Sequence, residues 1–201
     1  MKVLLLSPHK CLIDVFDKHG DQVIQTTDPI IYSMLEGIDW VVSYGYRYKI
    51  NKWVIHKIKG NAINLHISYL PWGRGADPNL WSFLEDTPKG VTIHYMNEGI
   101  DMGDIITRRL IGYDMETDTL NSTYKRLSET IEKLFSEYWG SIRERHIKSI
   151  PQSTYHRLIE KEKYRHLLTK GWDTPIKDII GIEYTKRLDE TIKRLKEKKE
   201  Q

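Results

Sequence analysis

Short apolar runs alternate with mixed polar stretches through the first half of the chain. Lys2-Val3-Leu4-Leu5-Leu6, Gln22-Val23-Ile24-Gln25-Thr26, Trp40-Val41-Val42-Ser43, Ala62-Ile63-Asn64-Leu65-His66 and Val91-Thr92-Ile93-His94-Tyr95 have the length and residue types of strands. Helices are predicted over about residues 10–18 and 51–58, with Asn51 at the N-cap of the second. Strands alternating with helices predict an α/β class, a Rossmann-like, mostly parallel sheet with helices on both faces. From Leu120 the apolar residues change to a spacing of three and four, through Leu120, Tyr124, Leu127, Ile131, Leu134, Phe135 and Tyr138. That spacing predicts one long helix lying across the sheet and running to about Arg145.

Beyond Pro151 the chain turns polar and rich in Tyr and Lys, with Asp173-Thr174-Pro175 as a helix start. Leu188, Ile192 and Leu195 form a narrow apolar stripe that either docks on its own domain or pairs two chains as a homodimer. The expected organisation is a principal domain over 1–150, carrying any catalysis, and a short C-terminal helical appendage over 151–201.

Composition narrows the class. Among 201 residues Cys11 is the only cysteine, which excludes an intramolecular disulfide and a cysteine zinc site. The apolar run Val3–Leu6 is far too short for a signal peptide or a membrane span, so a soluble, cytoplasmic protein with no membrane partner is expected. The net charge is +3, and the segment from Tyr184 to Gln201 carries seven Lys or Arg against four Asp or Glu. Without interleaved aromatics this reads as a solvated face, and no nucleic-acid partner is expected. The histidines outside position 66 show no ligand spacing, so no metal is expected.

Candidate chemistry belongs after the strands, where open α/β sheets bind ligands. Ser7-Pro8-His9-Lys10 after the first strand has no glycine, which disfavours dinucleotide and P-loop sites. Asn64 and His66 are two apart and share one side of a strand. An amide donor beside an imidazole suits oxyanion stabilisation and proton movement; alternatively Asn64 caps a turn and His66 packs in the core. Asp101, close to Gly99 and Gly103, is either a carboxylate aimed inward or part of a glycine-rich hairpin.

Asn64-x-His66-x-Ser68, Leu70-Pro71, Arg74-Gly75, Pro78, Gly90-Val91-Thr92-Ile93-His94 and Asp101-x-Gly103-Asp104-Ile105 follow in an order that resembles the formyltransferases that use 10-formyltetrahydrofolate. The resemblance covers about residues 40–110. It implies that Asn64, His66 and Asp101 are catalytic. It also implies that the folate cosubstrate lies against Tyr44, Gly45, Tyr46, Arg47 and Tyr48 and against Gly99, Ile100, Gly103 and Asp104. Ser68, Trp72, Arg74, Gly75 and Pro78 are then expected at the acceptor, with Arg47 and Arg74 suited to phosphate or a glutamate tail. Ile67, Tyr69 and Met102 depart from the residues frequent in the family, but no polar catalytic group is lost.

Three branches of the family differ in ways the chain can be compared with. Methionyl-tRNA formyltransferases add a C-terminal β-barrel where this chain reads as helical. Glycinamide ribonucleotide transformylases have a phosphate loop after the first strand. The run Trp72 to Trp81 and Thr87 to Thr92 are most similar to enzymes that formylate nucleotide-linked amino deoxysugars, among them the 4-amino sugar of the pseudaminic acid pathway. The resemblance therefore implies direct attack of a sugar amine on the formyl carbon. Other amine acceptors and simple hydrolysis are the alternatives.

Overall fold

A computed structural model describes residues 1–153, 161–186 and 189–190. In chain order these form β1 (Lys2–Leu6), α1 (Ile13–Lys18), β2 (Gln22–Thr26), β3 (Trp40–Tyr44), α2 (Lys52–Lys57), β4 (Ala62–His66), α3 (Pro78–Leu84), β5 (Gly90–Tyr95), β6 (Ile105–Leu110) and α4 (Leu120–Arg143). The strands make one six-stranded sheet in the order β2-β1-β3-β4-β5-β6. The first four are mutually parallel, β5 runs antiparallel to β4, and β6 runs antiparallel to β5. The sheet is thus mostly parallel, as expected, with one reversed strand that the sequence pattern does not disclose.

Alternation along each strand divides the sheet into two faces. Val3, Leu5, Trp40, Val42, Ile63, Leu65, Val91 and Ile93 point toward α1 and α4, where they pack with Phe16, Ile131, Phe135 and Trp139. Phe16, Trp40 and Trp139 meet edge to face, with ring centroids 5.2 and 5.8 Å apart at the two contacts. The other face of β1 and β3 presents Leu4, Leu6 and Val41 to Val54 and Ile58, of α2 and its end.

The long helix begins at a capping box: the Thr119 hydroxyl accepts from Ser122 N–H at 3.2 Å, and Thr119 N–H donates to Ser122 Oγ at 3.0 Å. Its buried stripe runs from Leu120 through Ile142 and includes Trp139. Tyr124, read as part of that stripe, is exposed instead. Asn51 occupies the N-cap of α2, but its side chain makes no capping hydrogen bond.

Among the described residues after Pro151, 182–186 and 189–190 are α-helical, and three 3-10 turns precede them. Short turns cover Lys161–Leu167, Gly171–Asp173 and Ile176–Asp178, and Thr174 and Pro175 are extended, so the expected helix start at Asp173 is absent. Tyr164, Ile176 and Ile179 bury against Leu80, Trp81, Phe83 and Leu84 of α3. Backbone bonds from Gly181 N–H to Phe83 O (2.8 Å) and from Leu120 N–H to Thr174 O (3.2 Å) fasten the segment to α3 and α4. The stripe Leu188, Ile192 and Leu195 lies outside the described residues. Among the described residues no helix is long and apolar enough to cross a membrane.

Candidate active site

β4 supplies the floor of the site. Because Ile63 and Leu65 enter the core, alternation sends Asn64 and His66 to the opposite face. The antiparallel register sets Asn64 opposite His94 and His66 opposite Thr92. The face that is apolar on β1 and β3 therefore becomes polar on β4 and β5.

Asp101 reaches this floor from the loop between β5 and β6. Its φ of +52° is in the left-handed region, where Asp is among the better tolerated non-glycine residues. Farther along, Gly103 passes so close to β5 that a Cβ would lie 1.8 Å from Tyr95 O, so only glycine fits. Asp101 Oδ1 accepts from Asn64 Nδ2 at 3.1 Å, and Oδ2 accepts from Gly75 N–H at 2.9 Å. His66 Nδ1 lies 3.7 Å from Oδ2, and His94 Nε2 lies 3.5 Å from Oδ1. Burial alone would raise the Asp101 carboxyl. The charge of His66, the hydrogen bond and charge of His94 and the Gly75 N–H outweigh it and hold the group well below the usual carboxylate range.

The outer nitrogens of both histidines meet backbone carbonyls, which only accept. His94 Nδ1 is 2.7 Å from Tyr95 O and His66 Nε2 is 2.9 Å from Gly73 O, so each of these nitrogens carries the proton. In neutral His94 the lone pair is then on Nε2, 3.3 Å from Asn64 Nδ2, whereas in protonated His94 the same nitrogen donates toward Asp101 Oδ1. Both hydrogens of the Asn64 amide are engaged, one by Asp101 and one by His94.

A cleft of about 600 Å³ opens over these groups. Tyr44, Gly45, Tyr46, Arg47 and Tyr48 form one wall, Gly99, Ile100 and Asp101 another, and Gly75 and Pro78 a third. The expected catalytic residues and most of the expected binding residues thus converge. His9, Lys49 and Tyr124 also line the cleft, from the loops after β1 and β3 and from α4.

Five expected binding residues are not among the cleft lining, for physical reasons. Ser68 is buried, and its hydroxyl donates to Trp72 O within the loop. Trp72 stacks on Tyr69 with centroids 6.2 Å apart. Arg74 is buried and donates to Gln152 Oε1 at 3.1 and 2.7 Å and to Ser153 O at 3.0 Å, so it faces the protein rather than a ligand phosphate. Gly103 packs on β5, and Asp104, exposed, has its backbone carbonyl bonded to Tyr95 N–H. His94 falls within the motif Gly90-Val91-Thr92-Ile93-His94, to which the resemblance gives no catalytic role. Its place beside Asn64 depends on strand pairing, although the alternation Thr92-x-His94 marks a polar face. Among the described residues no cluster of His, Cys, Asp and Glu could hold a metal ion.

Residues 25–138 match the family model described as formyl transferase. The methionyl-tRNA formyltransferase of Geobacillus thermodenitrificans (strain NG80-2) is 33% identical over 158 residues, 74% of this chain and 49% of that protein. The chain spans about half the length of the methionyl-tRNA formyltransferases it matches. The dTDP-4-amino-4,6-dideoxyglucose formyltransferase of Mycobacterium tuberculosis (strain ATCC 25618 / H37Rv) is 25% identical over 162 residues, 72% of this chain and 68% of that protein. Among solved structures, the formyltransferase PseJ from Anoxybacillus kamchatkensis, in complex with UDP-4,6-dideoxy-4-formamido-L-AltNAc and tetrahydrofolate, is 52% identical. The TM-score is 0.86, and the match covers 91% of this chain and 100% of that one.

Proposed function

The chain belongs to the formyl transferase family, and on that premise we propose that it transfers a formyl group from 10-formyltetrahydrofolate to the amine of a nucleotide-linked amino deoxysugar. The finer reading is a UDP-linked 4-amino-4,6-dideoxy sugar, as in the pseudaminic acid pathway. The observation that carries it is the convergence of Asn64, His66 and Asp101 on one cleft, in a chain 52% identical to a protein solved with a UDP-4-formamido sugar and tetrahydrofolate. On this reading the reaction belongs in the cytoplasm.

The cleft fits a pterin. Gly45, at φ +67°, brings backbone close to the opening, and a Cβ there would meet the His9 ring at 3.2 Å. Tyr46 and Tyr48 give ring surface beside it. The bound cosubstrate supplies an electrophilic formyl carbon. Asn64 turns an N–H from His94 toward the formyl oxygen, where negative charge develops as the amine adds. His66, whose Nε2–H is held by Gly73 O, turns Nδ1 toward Asp101 at the floor of the cleft. Asp101, ionised and fixed by Gly75, balances charge at both imidazoles and is a poor resting place for a proton. The imidazoles facing its two oxygens therefore take the proton the amine loses. That proton returns to the folate nitrogen as its bond to the formyl carbon breaks and the new N–C bond is complete. Arg47, exposed beside Tyr48 at the cleft wall, suits the carboxylate or diphosphate of a substrate.

The test is tetrahydrofolate release from 10-formyltetrahydrofolate with a panel of UDP- and dTDP-linked 3-amino and 4-amino deoxysugars. Release that requires the UDP-4-amino sugar, with a formamido product by mass, is expected. Equal release without any amine would make the chain a hydrolase and overturn the reading.

A further inference from the structure

Gln152 lies outside the stretch matched by the family model, yet its side chain touches both loops that build the site. Nε2 donates to Asp101 O at 3.0 Å and to Gly103 O at 2.6 Å. Oε1 accepts from Arg74 Nε at 3.1 Å and from Arg74 Nη2 at 2.7 Å. Two donor hydrogens and two lone pairs are the full capacity of a carboxamide, and here all four are used. The main chain beside it is held as well. Ile150 and Ile105 exchange both backbone bonds at 2.8 Å, and Ser153 O accepts from Arg74 at 3.0 Å.

Each bond bears on a catalytic group one step away. Arg74 is flanked by Gly73, whose carbonyl accepts from His66, and by Gly75, whose N–H holds Asp101 Oδ2. On the other side, Gln152 grips the main chain of Asp101 itself, in its left-handed conformation. We propose that Gln152 is a positioning residue that fixes the loop after β4 against the loop after β5, and so sets Asp101 between His66 and His94. The role presupposes the formyl-transfer reading. It assigns the segment after residue 150 a share in the active site although none of its described residues lines the cleft.

The chemistry of the clasp dictates the variants. In Gln152→Glu the side chain keeps its size and can still accept from Arg74, but it presents a carboxylate oxygen to two carbonyls and loses both donor bonds. Gln152→Asn keeps donors and acceptor on a stem one carbon shorter. Both are measured in the full chain with the sugar amine that the wild type accepts. For Gln152→Glu, kcat falls about tenfold or more, as misplacement of reacting groups by less than 1 Å predicts. KM for both substrates stays within about twofold, because no cleft contact changes. Gln152→Asn recovers part of the loss. A Gln152→Glu enzyme with kcat within twofold of wild type overturns the proposal. So does a parallel rise in both KM values with a fallen unfolding midpoint, which marks a merely structural residue.

A second readout does not depend on turnover. The NMR signal of the His66 Cε1–H moves in Gln152→Glu or, if that variant does not fold, in Gln152→Asn, while the Trp139 indole N–H signal stays in place. An unmoved His66 signal overturns the proposal whether or not the wild type transfers formyl groups. Failure of the wild type to release tetrahydrofolate with any amine overturns the functional reading alone.

Discussion

Asn64 and His94 face each other across the β4–β5 ladder, with Nδ2 3.3 Å from Nε2. The bond from His94 Nδ1 to Tyr95 O fixes which ring nitrogen is the acceptor, and so fixes the direction of the Asn64 amide. In the unliganded site His94 therefore holds in reserve the N–H that a formyl oxygen would receive.

Asn64→Ala removes that donor. Turnover is expected to fall about a hundredfold or more with the fold intact, by the usual worth of an oxyanion donor. Sugar-dependent tetrahydrofolate release, alongside a circular-dichroism melt, checks it; turnover within threefold of wild type contradicts the role. His94→Ala removes one of the two anchors of the Asn64 amide and leaves only the bond to Asp101, and about a tenfold loss in kcat is expected.

Asp101→Asn keeps the shape but removes the charge between two imidazoles. A loss of about 10²- to 10⁴-fold in kcat is expected. In the wild type the carboxylate stays ionised through the ordinary carboxylate range, because its folded value is depressed. No activity limb from Asp101 should therefore appear as pH falls to about 4, near the unperturbed value. A limb near pH 4 in the wild type that Asp101→Asn lacks would refute this.

Asp118 gives a pH prediction for stability. Hydrogen bonds from Arg126 draw its carboxyl down first, burial opposes, and the Asp114 N–H and Ser122 hydroxyl add to the lowering, to about 2. A depressed carboxylate contributes stability that is fully present above the unfolded value of 3.8 and lost as pH falls through about 2. Asp118→Asn should lower the unfolding midpoint by about 2–4 °C at neutral pH, for a loss of about 1 kcal/mol. The gap to wild type should close progressively below pH 4, toward about 2. A gap that widens on acidification would contradict the assignment.

Two loop residues that the sequence groups together should separate by experiment. Ser68→Ala loses a buried hydroxyl bond and about 1 kcal/mol of stability, with KM for the sugar unchanged. Arg47→Ala, at the exposed wall of the cleft, should raise a substrate KM and leave kcat and the unfolding midpoint near wild type. Steady-state kinetics of the two variants, with melts, decides it; the reverse pattern would restore Ser68 to the acceptor site.

Much of this architecture was legible as alternation. β1, β2 and β4 coincide with the runs Lys2–Leu6, Gln22–Thr26 and Ala62–His66 read from the sequence. Asn64, His66 and Asp101 were legible as motif residues, because each is close to a turn that imposes its own residue types. The reversal of β5 was not. A helix, α3, precedes it as helices precede the parallel strands, and direction depends on where the connection returns. His94 was hidden for the same reason, since its partner is set by register. The clasp of Arg74 and Gln152 joins residues 78 apart and leaves no periodic trace.

One strand serves two masters. In β4, Ile63 and Leu65 belong to the core while Asn64 and His66 line the cleft, on alternate residues. Inserting or deleting one residue there would turn the Asn64 amide into the hydrophobic interior and an isoleucine into the cleft, so the core and the cleft would be lost together. In the walls, Tyr44 and Ile50 are likewise shared between core and cleft, whereas Arg47, Lys49, Asn97, Glu98 and Ile100 are exposed and line the cleft alone. Changes confined to those exposed loop positions would reshape the cleft and leave the core in place, while the length of β4 is locked.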